Sequence, residues 1–264
     1  MSSNTSPPSR TLYAPQRHDE IVAAARRAGR VEVNGLADKL NVTPETIRRD
    51  LAALERLGKI RRVHGGALPM AETEPEPSLL DRLGLHSDTK ERIAARAALE
   101  LPSQGTVLLD SGTTTLAIAR CLPRTAELDV VTNSVAIAAV LSDHPGLSLH
   151  MLGGTIRQRT GACVGSWATD ALQRLCVDVA FIGGNGFSVS RGVTTPDEAE
   201  AAVKRAMVRS ARRPIVVADS SKAGQVRLHC FAAAQDIAML ITDDGLDDET
   251  TNEFDAAGVE VVRA

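Results

Sequence analysis

Residues 42–51 read VTPETIRRDL, and this stretch decides the fold of the N-terminal part of the chain. Thr43 is a good helix cap, because its hydroxyl can accept a hydrogen bond from a free N–H of the first turn. Pro44 follows at the first helical position, where its missing N–H costs nothing. Ile47 and Leu51 lie four residues apart, so the stretch predicts a helix whose apolar face docks on a small core.

Two arginines lie away from the apolar stripe of this predicted helix. Arg48 and Arg49 fall beside Thr46, which we expect to be exposed. A helix N-terminus is partly positive, and two guanidinium groups next to it suit a groove lined by phosphates. The alternative is a solvated surface helix with two ordinary arginines, and the stretch alone does not exclude it.

The flanking sequence predicts a helix-turn-helix in which this helix reads DNA. Residues 17–28 place apolar side chains at helical spacing and are closed by Gly29, and residues 34–40 form a second helix. After the reader helix, residues 59–67 interleave basic with apolar side chains and contain a glycine pair. This pattern favours the β-hairpin wing of a winged helix, and its alternative is a linker strand with incidental charge.

Two runs in this region resemble the head of the DeoR family of bacterial transcriptional regulators. Residues 46–51 read TIRRDL, as at the start of that family's reader helix, and residues 62–67 read RVHGGA, as in its wing. The resemblance implies a helix-turn-helix near residues 31–50, with DNA contacts from the reader helix and the wing. The residues expected to contact DNA are Thr43, Thr46, Arg48, Arg49, Arg62 and His64. Asp50 can orient an arginine, cap or be solvated, and repulsion from phosphate favours a structural role.

Charge is divided unevenly along the 264 residues. Residues 1–70 hold 12 Lys and Arg against 7 Asp and Glu, whereas residues 71–264 hold 18 against 26. A small basic head on a larger acidic body indicates a polyanion partner for the head alone. The four cysteines are scattered and the six histidines lack ligand spacing. We therefore expect buried free thiols in a reducing compartment, and neither a metal nor a cofactor.

Composition also predicts the domain organisation. We expect a flexible tail over residues 1–15, a winged helix-turn-helix domain over 16–68, an acidic Pro-rich linker over 69–78 and an α/β effector-binding domain over 79–264. The tail lacks the apolar centre of a secretion signal, and no run approaches the length of a membrane span. The protein is therefore expected to be cytoplasmic, with no membrane partner.

The body alternates short apolar strands with helices. Predicted strands cover residues 106–110, 129–132 and 177–182, with helices such as 116–122 and 198–211 between or after them. Such alternation predicts a mainly parallel sheet with helices on both faces. Ligands of these sheets bind at the carboxyl ends of the strands.

Polar residues gather at these predicted strand ends. Residues 110–115 read DSGTTT and join a strand to a helix, where N–H groups and hydroxyls can donate to a phosphate. The alternative is a Ser/Thr-rich turn that only caps the helix. Lys204 and Lys222 lie near other strand ends and suit a phosphorylated polyol. Lys204 can instead pair with Glu200 on a solvated helix face.

The resemblance to the DeoR family continues through its sensor domain, in the same order and spacing. It is carried by the motifs at residues 110–115, 131–134, 152–154, 181–186, 194–197 and 219–222. That domain is related in fold to ribose-5-phosphate isomerase and glucosamine-6-phosphate deaminase, so the resemblance implies a sensor for a phosphorylated sugar. The effector-binding residues that it implies are Asp110, Ser111, Gly112, Thr113, Thr114, Thr115, Asn133, Asn185, Gly186, Asp197, Lys204 and Lys222. The chain departs from the family at Gly184, where alanine is frequent, and at Ala223, where an aromatic residue is common.

These expectations favour a transcriptional regulator, most often a repressor in this family, of a carbohydrate-metabolism operon. The head is expected to bind double-stranded operator DNA within a homo-oligomer, a dimer or a tetramer, because a two-fold protein reads paired half-sites. No catalytic residue is predicted. Two alternatives stay open: a sugar-phosphate isomerase or deaminase with a DNA-binding appendage, and a regulator whose effector is not phosphorylated.

Overall fold

The computed structural model describes residues 13–56, 60–63, 65–69 and 76–264. The chain divides into two compact units, residues 1–73 and 74–264. Each unit buries apolar clusters of its own, so each is described by itself.

The N-terminal unit combines three helices with a small antiparallel sheet. Its elements are α1 (Ala14–Ala28), β1 (Val31–Glu32), α2 (Val33–Leu40), α3 (Pro44–Arg56), β2 (Ile60–Val63) and β3 (Gly66–Pro69). The strands have the order β1-β3-β2, so β2 and β3 form the predicted wing and β1 adds a third strand. Asn41 ends α2 in the left-handed conformation, which asparagine tolerates, and turns the chain into α3.

Apolar residues from the helices and the strands form the core of this unit. Ile47, Leu51 and Leu54 of α3 are buried, as their spacing predicts. They belong to one cluster with Ile21 of α1 and Ile60 of β2. The reader helix is therefore fixed by its apolar face, and its other face is left for solvent or a partner.

The first helix begins earlier than the sequence predicts. Because α1 starts at Ala14, residues 14 and 15, predicted as part of the flexible tail, are helical. Proline is compatible with the first turn, since the N–H that it lacks would have no partner there. Residues 1–12 of the predicted tail lie outside the described residues.

Most strands of the larger unit build one seven-stranded sheet. The strands are β4 (Thr106–Leu109), β5 (Leu128–Thr132), β6 (Leu147–Met151), β7 (Thr155–Arg157), β8 (Ala162–Val164), β9 (Val177–Gly183), β10 (Gly186–Ser188), β11 (Gly192–Thr195), β12 (Ala211–Val217), β13 (His229–Ala232), β14 (Met239–Thr242) and β15 (Glu260–Arg263). The large sheet has the order β15-β14-β12-β9-β4-β5-β6, and every pair in it is parallel. The predicted α/β class is confirmed.

Helices cover both faces of this sheet. They are α4 (Leu79–Leu83), α5 (Ser87–Ala98), α6 (Thr113–Arg120), α7 (Val135–Leu141), α8 (Ser166–Leu172), α9 (Glu198–Ser210) and α10 (Asp248–Ala256). Alternate residues of β4 point to opposite faces of the sheet. Leu108 packs in the apolar layer that includes α8, α9 and α10, whereas Val107 and Leu109 pack in the layer that includes α5, α6 and α7.

The larger unit also contains short antiparallel pairings that the sequence did not predict. β7 pairs with β8, and β10, β11 and β13 form a three-stranded sheet. Each of these strands has only three or four residues, too few to show a hydrophobic period. The β7–β8 hairpin is functionally relevant, because it carries Arg157 and Thr160.

Two helix starts differ from the prediction. α5 begins at Ser87 and not with Asp88 as its cap; the cap position is His86, in the left-handed conformation. α6 begins at Thr113 and not at Leu116, so the predicted threonine-rich turn is already the first helical turn. The sequence did not predict this start, because threonine favours turns and caps as well as helix ends.

The predicted linker, residues 69–78, is partly structured at both of its ends. Pro69 is the last residue of β3, and Ser78 caps α4 in a reciprocal capping box with Asp81. Glu76 forms an ion pair within the larger unit, described below. Residues 70–75 lie outside the described residues.

The prediction of buried thiols is wrong for three of the four cysteines. Cys163 is buried, whereas Cys121, Cys176 and Cys230 are exposed, and all four are free. Cys121 stands at the C-cap of α6 and Cys176 follows α8, where chain ends meet solvent. A scattered single cysteine has no periodic pattern from which its burial can be predicted.

Candidate functional site

The start of the reader helix has the predicted cap. The Thr46 N–H donates to Thr43 Oγ1 at 3.2 Å, and the two threonine hydroxyls lie 2.9 Å apart. Arg48 and Arg49 are both exposed. Arg48 Nη1 lies 3.2 Å from Glu45 Oε2, but such an exposed pair is worth little and leaves the guanidinium available. Thr46, which was expected to be exposed, is only partly exposed. The helix therefore presents two arginines to solvent next to its threonine cap.

Asp50 has a structural position, as expected from the repulsion between a carboxylate and phosphate. Its carboxylate is buried and lies 2.6 Å from Arg17 Nε and 3.0 Å from His18 Nε2. The hydrogen bond to Asp50 raises the pKa of Arg17, although burial opposes this. Asp50 therefore ties α3 to α1. On the wing, Arg62 is exposed and its N–H donates to Glu55 Oε1 at 2.9 Å; His64 lies outside the described residues.

A polar cleft lies at the carboxyl ends of the central strands of the larger unit. Its lining residues are Arg82, Ser111, Gly112, Thr113, Thr114, Thr115, Thr160, Gly183, Gly184, Asn185, Glu200, Lys204, Val217 and Lys222. Eight of the twelve predicted effector-binding residues are in this set. The position agrees with the general rule for ligands of open α/β sheets.

The N-terminus of α6 forms one side of the cleft. Ser111 donates its N–H to Asn133 Oδ1 at 3.0 Å, and Thr115 donates its hydroxyl to the Gly112 carbonyl at 3.1 Å. The Thr113 and Thr114 hydroxyls have no hydrogen-bond partner among the described residues. Together with the free N–H groups of the first helical turn, they form a set of donors suited to an anion.

A buried ion pair forms the floor of the cleft. Lys204 donates to Asp110 Oδ2 and, at 3.0 Å, to the Gly183 carbonyl, and the Gly183 N–H donates to the same Asp110 oxygen at 3.0 Å. Burial raises the pKa of Asp110, and the charge of Lys204 opposes that rise. Asp110 Oδ1 is buried and has no hydrogen-bond partner among the described residues.

Arg157 gathers three carboxylates beside the cleft. Its guanidinium lies 2.6 Å from Glu76, 3.0 Å from Asp197 and 3.2 Å from Glu200. Burial alone would lower the pKa of Arg157, but these carboxylates raise it overall. The Thr160 hydroxyl donates to Glu200 at 2.5 Å. The alternative in which Glu200 pairs with Lys204 on a solvated face is therefore wrong, because both residues are buried and have other partners.

Positive side chains lie close together in another part of the cleft lining. Lys222 Nζ lies 3.3 Å from Asp219 Oδ2, and Arg82 Nε is buried without a hydrogen-bond partner among the described residues. Burial lowers the pKa of Lys222; Asp219 opposes this, and the charges of Arg82 and Lys204 lower it further. Lys222, Arg82 and Lys204 therefore place three positive charges close together in the cleft.

Four predicted effector-binding residues do not line the cleft. Asp110 lies beneath Lys204, and Asn133 holds the Ser111 N–H and the carbonyl of Cys163. Asp197 caps α9 by accepting from the Glu200 N–H at 2.9 Å. Gly186 is paired in β10, where a Cβ would lie 2.1 Å from the Gln225 carbonyl oxygen. These residues shape the cleft from behind its surface.

Sequence reasoning missed three polar residues of the lining, Arg82, Thr160 and Glu200. Arg82 lies next to the predicted linker and Thr160 lies on an unpredicted hairpin, so neither followed a predicted strand end. Glu200 was noticed, but its spacing to Lys204 suggested the wrong partner. The fold brings these residues to the cleft through long-range contacts that no local pattern contains.

A winged helix-turn-helix and a separate α/β unit with a polar cleft define a transcriptional regulator that binds DNA and carries a sensor domain. The chain belongs to the DeoR family. The family model described as the DeoR C terminal sensor domain matches residues 85–244, and the DeoR-like helix-turn-helix domain matches residues 17–73. Among the described residues, no helix combines the length and the apolar character needed to cross a membrane.

Relatives of similar length carry regulator names. The HTH-type transcriptional regulator GlpR of Haloferax volcanii is 38% identical over 251 residues, which cover 95% of this chain and 98% of that protein. The HTH-type transcriptional repressor GlcR of Bacillus subtilis is 32% identical over 251 residues, covering 95% and 96%. A solved ribose 5-phosphate isomerase of Methanocaldococcus jannaschii is 15% identical with a TM-score of 0.39, covering 52% of this chain and 55% of that one.

Proposed function

We propose that this regulator represses a carbohydrate-metabolism operon and that its cleft binds a phosphorylated sugar or sugar-like effector. The observation that carries the proposal is the division of the cleft into a cationic end and a hydroxyl-binding end. Arg82 and Lys222 line the cleft together with the first turn of α6, while Asn185, Thr160 and Glu200 contribute amide, hydroxyl and carboxylate groups to the lining. A phosphoryl group on a polyhydroxylated molecule matches both ends.

The cationic end suits a phosphoryl group for two reasons. The first turn of α6 offers N–H groups and the hydroxyls of Thr113 and Thr114, and a helix N-terminus favours negative charge. Among the described residues, Lys222 has one carboxylate within ion-pair distance, Asp219, so a dianion would add to the balance of charge there. Ser111 and Gly112 let the backbone approach the ligand closely.

The other end suits hydroxyl groups. Asn185 presents an amide to the cleft and Glu200 a carboxylate, and both groups can form hydrogen bonds with hydroxyls. Glu200 and Thr160 line the same side, and Lys204 supplies a further donor. We infer that Asn133, Gly186 and Asp197 act indirectly, by holding these groups in place.

The cleft is proposed to bind its effector without turnover. A carboxylate that acts as a general base must be free to accept a proton from the substrate. One oxygen of Asp110 is fixed by Lys204 and the Gly183 N–H, and Glu200 is fixed by Arg157 and Thr160. These contacts favour recognition over proton transfer. Release of product in a coupled assay with several sugar phosphates would contradict this part of the proposal.

The N-terminal unit is proposed to bind operator DNA through Thr43, Thr46, Arg48, Arg49, Arg62 and His64. The first five are described residues on the reader helix and the wing, and the two reader arginines are exposed. A homo-oligomer, a dimer or a tetramer, would place two reader helices on paired half-sites. The effector then regulates transcription by binding the DNA-free arrangement more tightly than the DNA-competent one.

A thermal-shift screen tests the effector proposal. The purified full chain is melted with a panel of sugar phosphates and with the corresponding free sugars. Binding to the native protein raises the melting temperature by mass action, so one phosphorylated compound should stabilise the chain while its free sugar does not. Thr114→Ala should reduce the shift, and the exposed Thr125→Ala should leave it unchanged. Shifts from free sugars alone would contradict the phosphoryl-binding end.

A further inference from the structure

Residues 76–86, here called the joining segment, follow directly after residues 70–75 and belong to the larger unit. The segment contains α4, and α4 has no buried residue. Leu80 and Leu85 are 78% and 51% exposed. Leu83 packs against the apolar core at the edge of the larger unit, and the polar contacts described next hold the rest of the segment.

An ion pair links the start of the joining segment to β7. Glu76 Oε2 lies 2.6 Å from Arg157 Nη2, and the Glu76 side chain is 7% exposed. Arg159 donates to the Glu76 carbonyl, and the Leu79 N–H donates to the Arg159 carbonyl at 2.8 Å. Asn185 Nδ2 also lies 3.5 Å from Glu76 Oε1. The start of the segment therefore contacts a residue that lines the effector cleft.

A buried lysine fastens the other end of the segment. Lys90 of α5 donates to the Arg82 carbonyl at 2.6 Å and to the Leu85 carbonyl. This ammonium takes the place of water at the end of α4, where the last carbonyls of a helix lack intrahelical partners. The joining segment is therefore held at two points, and the backbone of Arg82 belongs to the second of them.

Arg82 places its side chain in the cleft and has no carboxylate partner among the residues that the structure describes. It lines the cleft together with Lys222 and the first turn of α6. Its Nε is buried and has no hydrogen-bond partner among the described residues. A guanidinium can bind a phosphoryl group through two parallel hydrogen bonds, and Nε takes part in such a pair. An anion at this end of the cleft would therefore pair with a donor that has no partner within the described parts of the chain.

We propose that Arg82 pairs with the phosphoryl group of the effector, and that effector binding is transmitted toward the DNA-binding unit through the joining segment. This inference rests on the proposed function. The phosphoryl group fixes the middle of the segment through Arg82. Effector hydroxyls compete with Glu76 for the amide of Asn185 at the start of the segment. Both ends of the effector therefore act on the stretch of chain that directly follows residues 70–75.

Hydrogen exchange of the full chain with inorganic phosphate as the probe tests this inference. Amide exchange in residues 79–86 is measured in 20 mM phosphate and in sodium chloride of equal ionic strength. We expect phosphate to slow exchange there by about threefold or more, because a new contact raises the free energy of local opening. Arg82→Ala should abolish the effect and weaken phosphate binding by about tenfold, the loss expected for a charge-assisted hydrogen bond. Arg174→Ala, an exposed arginine away from the cleft, should behave as the native chain.

A second variant tests the anchor at Glu76 without any probe. Glu76→Gln keeps the size of the side chain and removes the charge that pairs with Arg157, so exchange in residues 76–86 should become several-fold faster. Glu249→Gln, on the exposed first turn of α10, should leave it unchanged. Unaltered exchange in Glu76→Gln would overturn the proposed anchoring of the segment.

The outcomes separate this inference from the proposed function. If the native chain does not bind phosphate, the phosphoryl-binding end of the cleft fails, and the role of Arg82 fails with it. If the native chain and Arg82→Ala bind phosphate equally, only the role of Arg82 is overturned. If phosphate binding requires Arg82 but exchange in residues 79–86 stays unchanged, the segment does not report occupancy. Arg82→Lys, which keeps the positive charge, should recover part of the binding and thereby exclude a loss of folding.

Discussion

Lys204 of α9 forms its ion pair with Asp110 at the end of β4, a residue 94 positions earlier in the chain. Glu200, one helical turn before Lys204, contacts Arg157 on the β7–β8 hairpin. The two neighbours on α9 therefore serve different parts of the cleft. Glu200 and Lys204 therefore do not form the i, i+4 ion pair that their spacing suggests. Both side chains are buried.

Replacing Lys204 with methionine should destabilise the larger unit. The variant leaves the Asp110 carboxylate buried and without its cation, and breaking a buried pair on one side costs roughly 3–5 kcal/mol. Urea denaturation of the full chain measures the loss. The double variant Asp110→Asn/Lys204→Met should recover much of it, since the uncompensated charge is gone. A single variant as stable as the native chain would contradict the structural importance of this pair.

Replacing Arg48 and Arg49 with alanine should weaken operator binding and leave the fold intact. Both side chains are exposed, so the melting temperature should stay nearly constant. If each contacts a phosphate, the slope of log K against log salt should fall by about 0.9 per arginine, from the release of counterions. A salt titration of operator binding measures the slope. Arg174→Ala is the matched control, and unchanged affinity would remove both arginines from the proposed DNA contacts.

Asp50→Asn should act on the stability of the head and not on a DNA contact. Asp50 is buried against Arg17 and His18, so the change removes a charged acceptor that ties α3 to α1. We expect a loss of roughly 3 kcal/mol, as for other broken buried pairs. Operator binding measured at several temperatures separates the two roles. Asp50→Asn should bind almost normally in the cold and fail at a lower temperature than the native chain, whereas a variant that lacks a direct contact is weak throughout.

The sequence predicts the parts of the fold whose cause is local. The reader helix follows from the cap at Thr43 and from the spacing of Ile47, Leu51 and Leu54, and the structure has both features. The parallel sheet follows from the alternation of apolar strands and helices. In each case, one short window contains the physical reason for the element.

The parts of the cleft that were missed have causes that are distant in the sequence. Arg82 reaches the cleft because the end of α4 is held by Lys90, and Thr160 because of the β7–β8 hairpin. Glu200 accepts hydrogen bonds from Thr160 and Arg157, which lie 40 and 43 residues earlier in the chain. None of these contacts alters hydrophobic period or composition near the residue. A local reading therefore assigns the wrong neighbour, as it did for Lys204.

Gly184→Ala tests whether the position of Gly184 can accept a side chain. A Cβ on Gly184 would lie 2.6 Å from Val193 Cγ1, and Val193 is buried. We expect a loss of about 1–3 kcal/mol from overpacking, measured by urea denaturation. In Gly184→Ala/Val193→Ala the clash is removed, so the loss should be smaller than the sum of the single losses by about 1 kcal/mol. Strict additivity would show that Val193 does not restrict this position.

The stability of the larger unit should depend on pH through Asp219. Burial would raise the pKa of Asp219, but Lys222 and the hydrogen bond from Ser221 lower it overall. The folded-state pKa is thus below that of the unfolded chain, about 3.9. The carboxylate then contributes stability that is present above the unfolded pKa and is lost as pH falls through the folded pKa.

The stability difference between the native chain and Asp219→Asn should be largest above about pH 5 and should shrink below about pH 4. Urea denaturation across this range measures it, with the exposed Asp255→Asn as control. A difference that is constant with pH would contradict the contribution of the Asp219 charge.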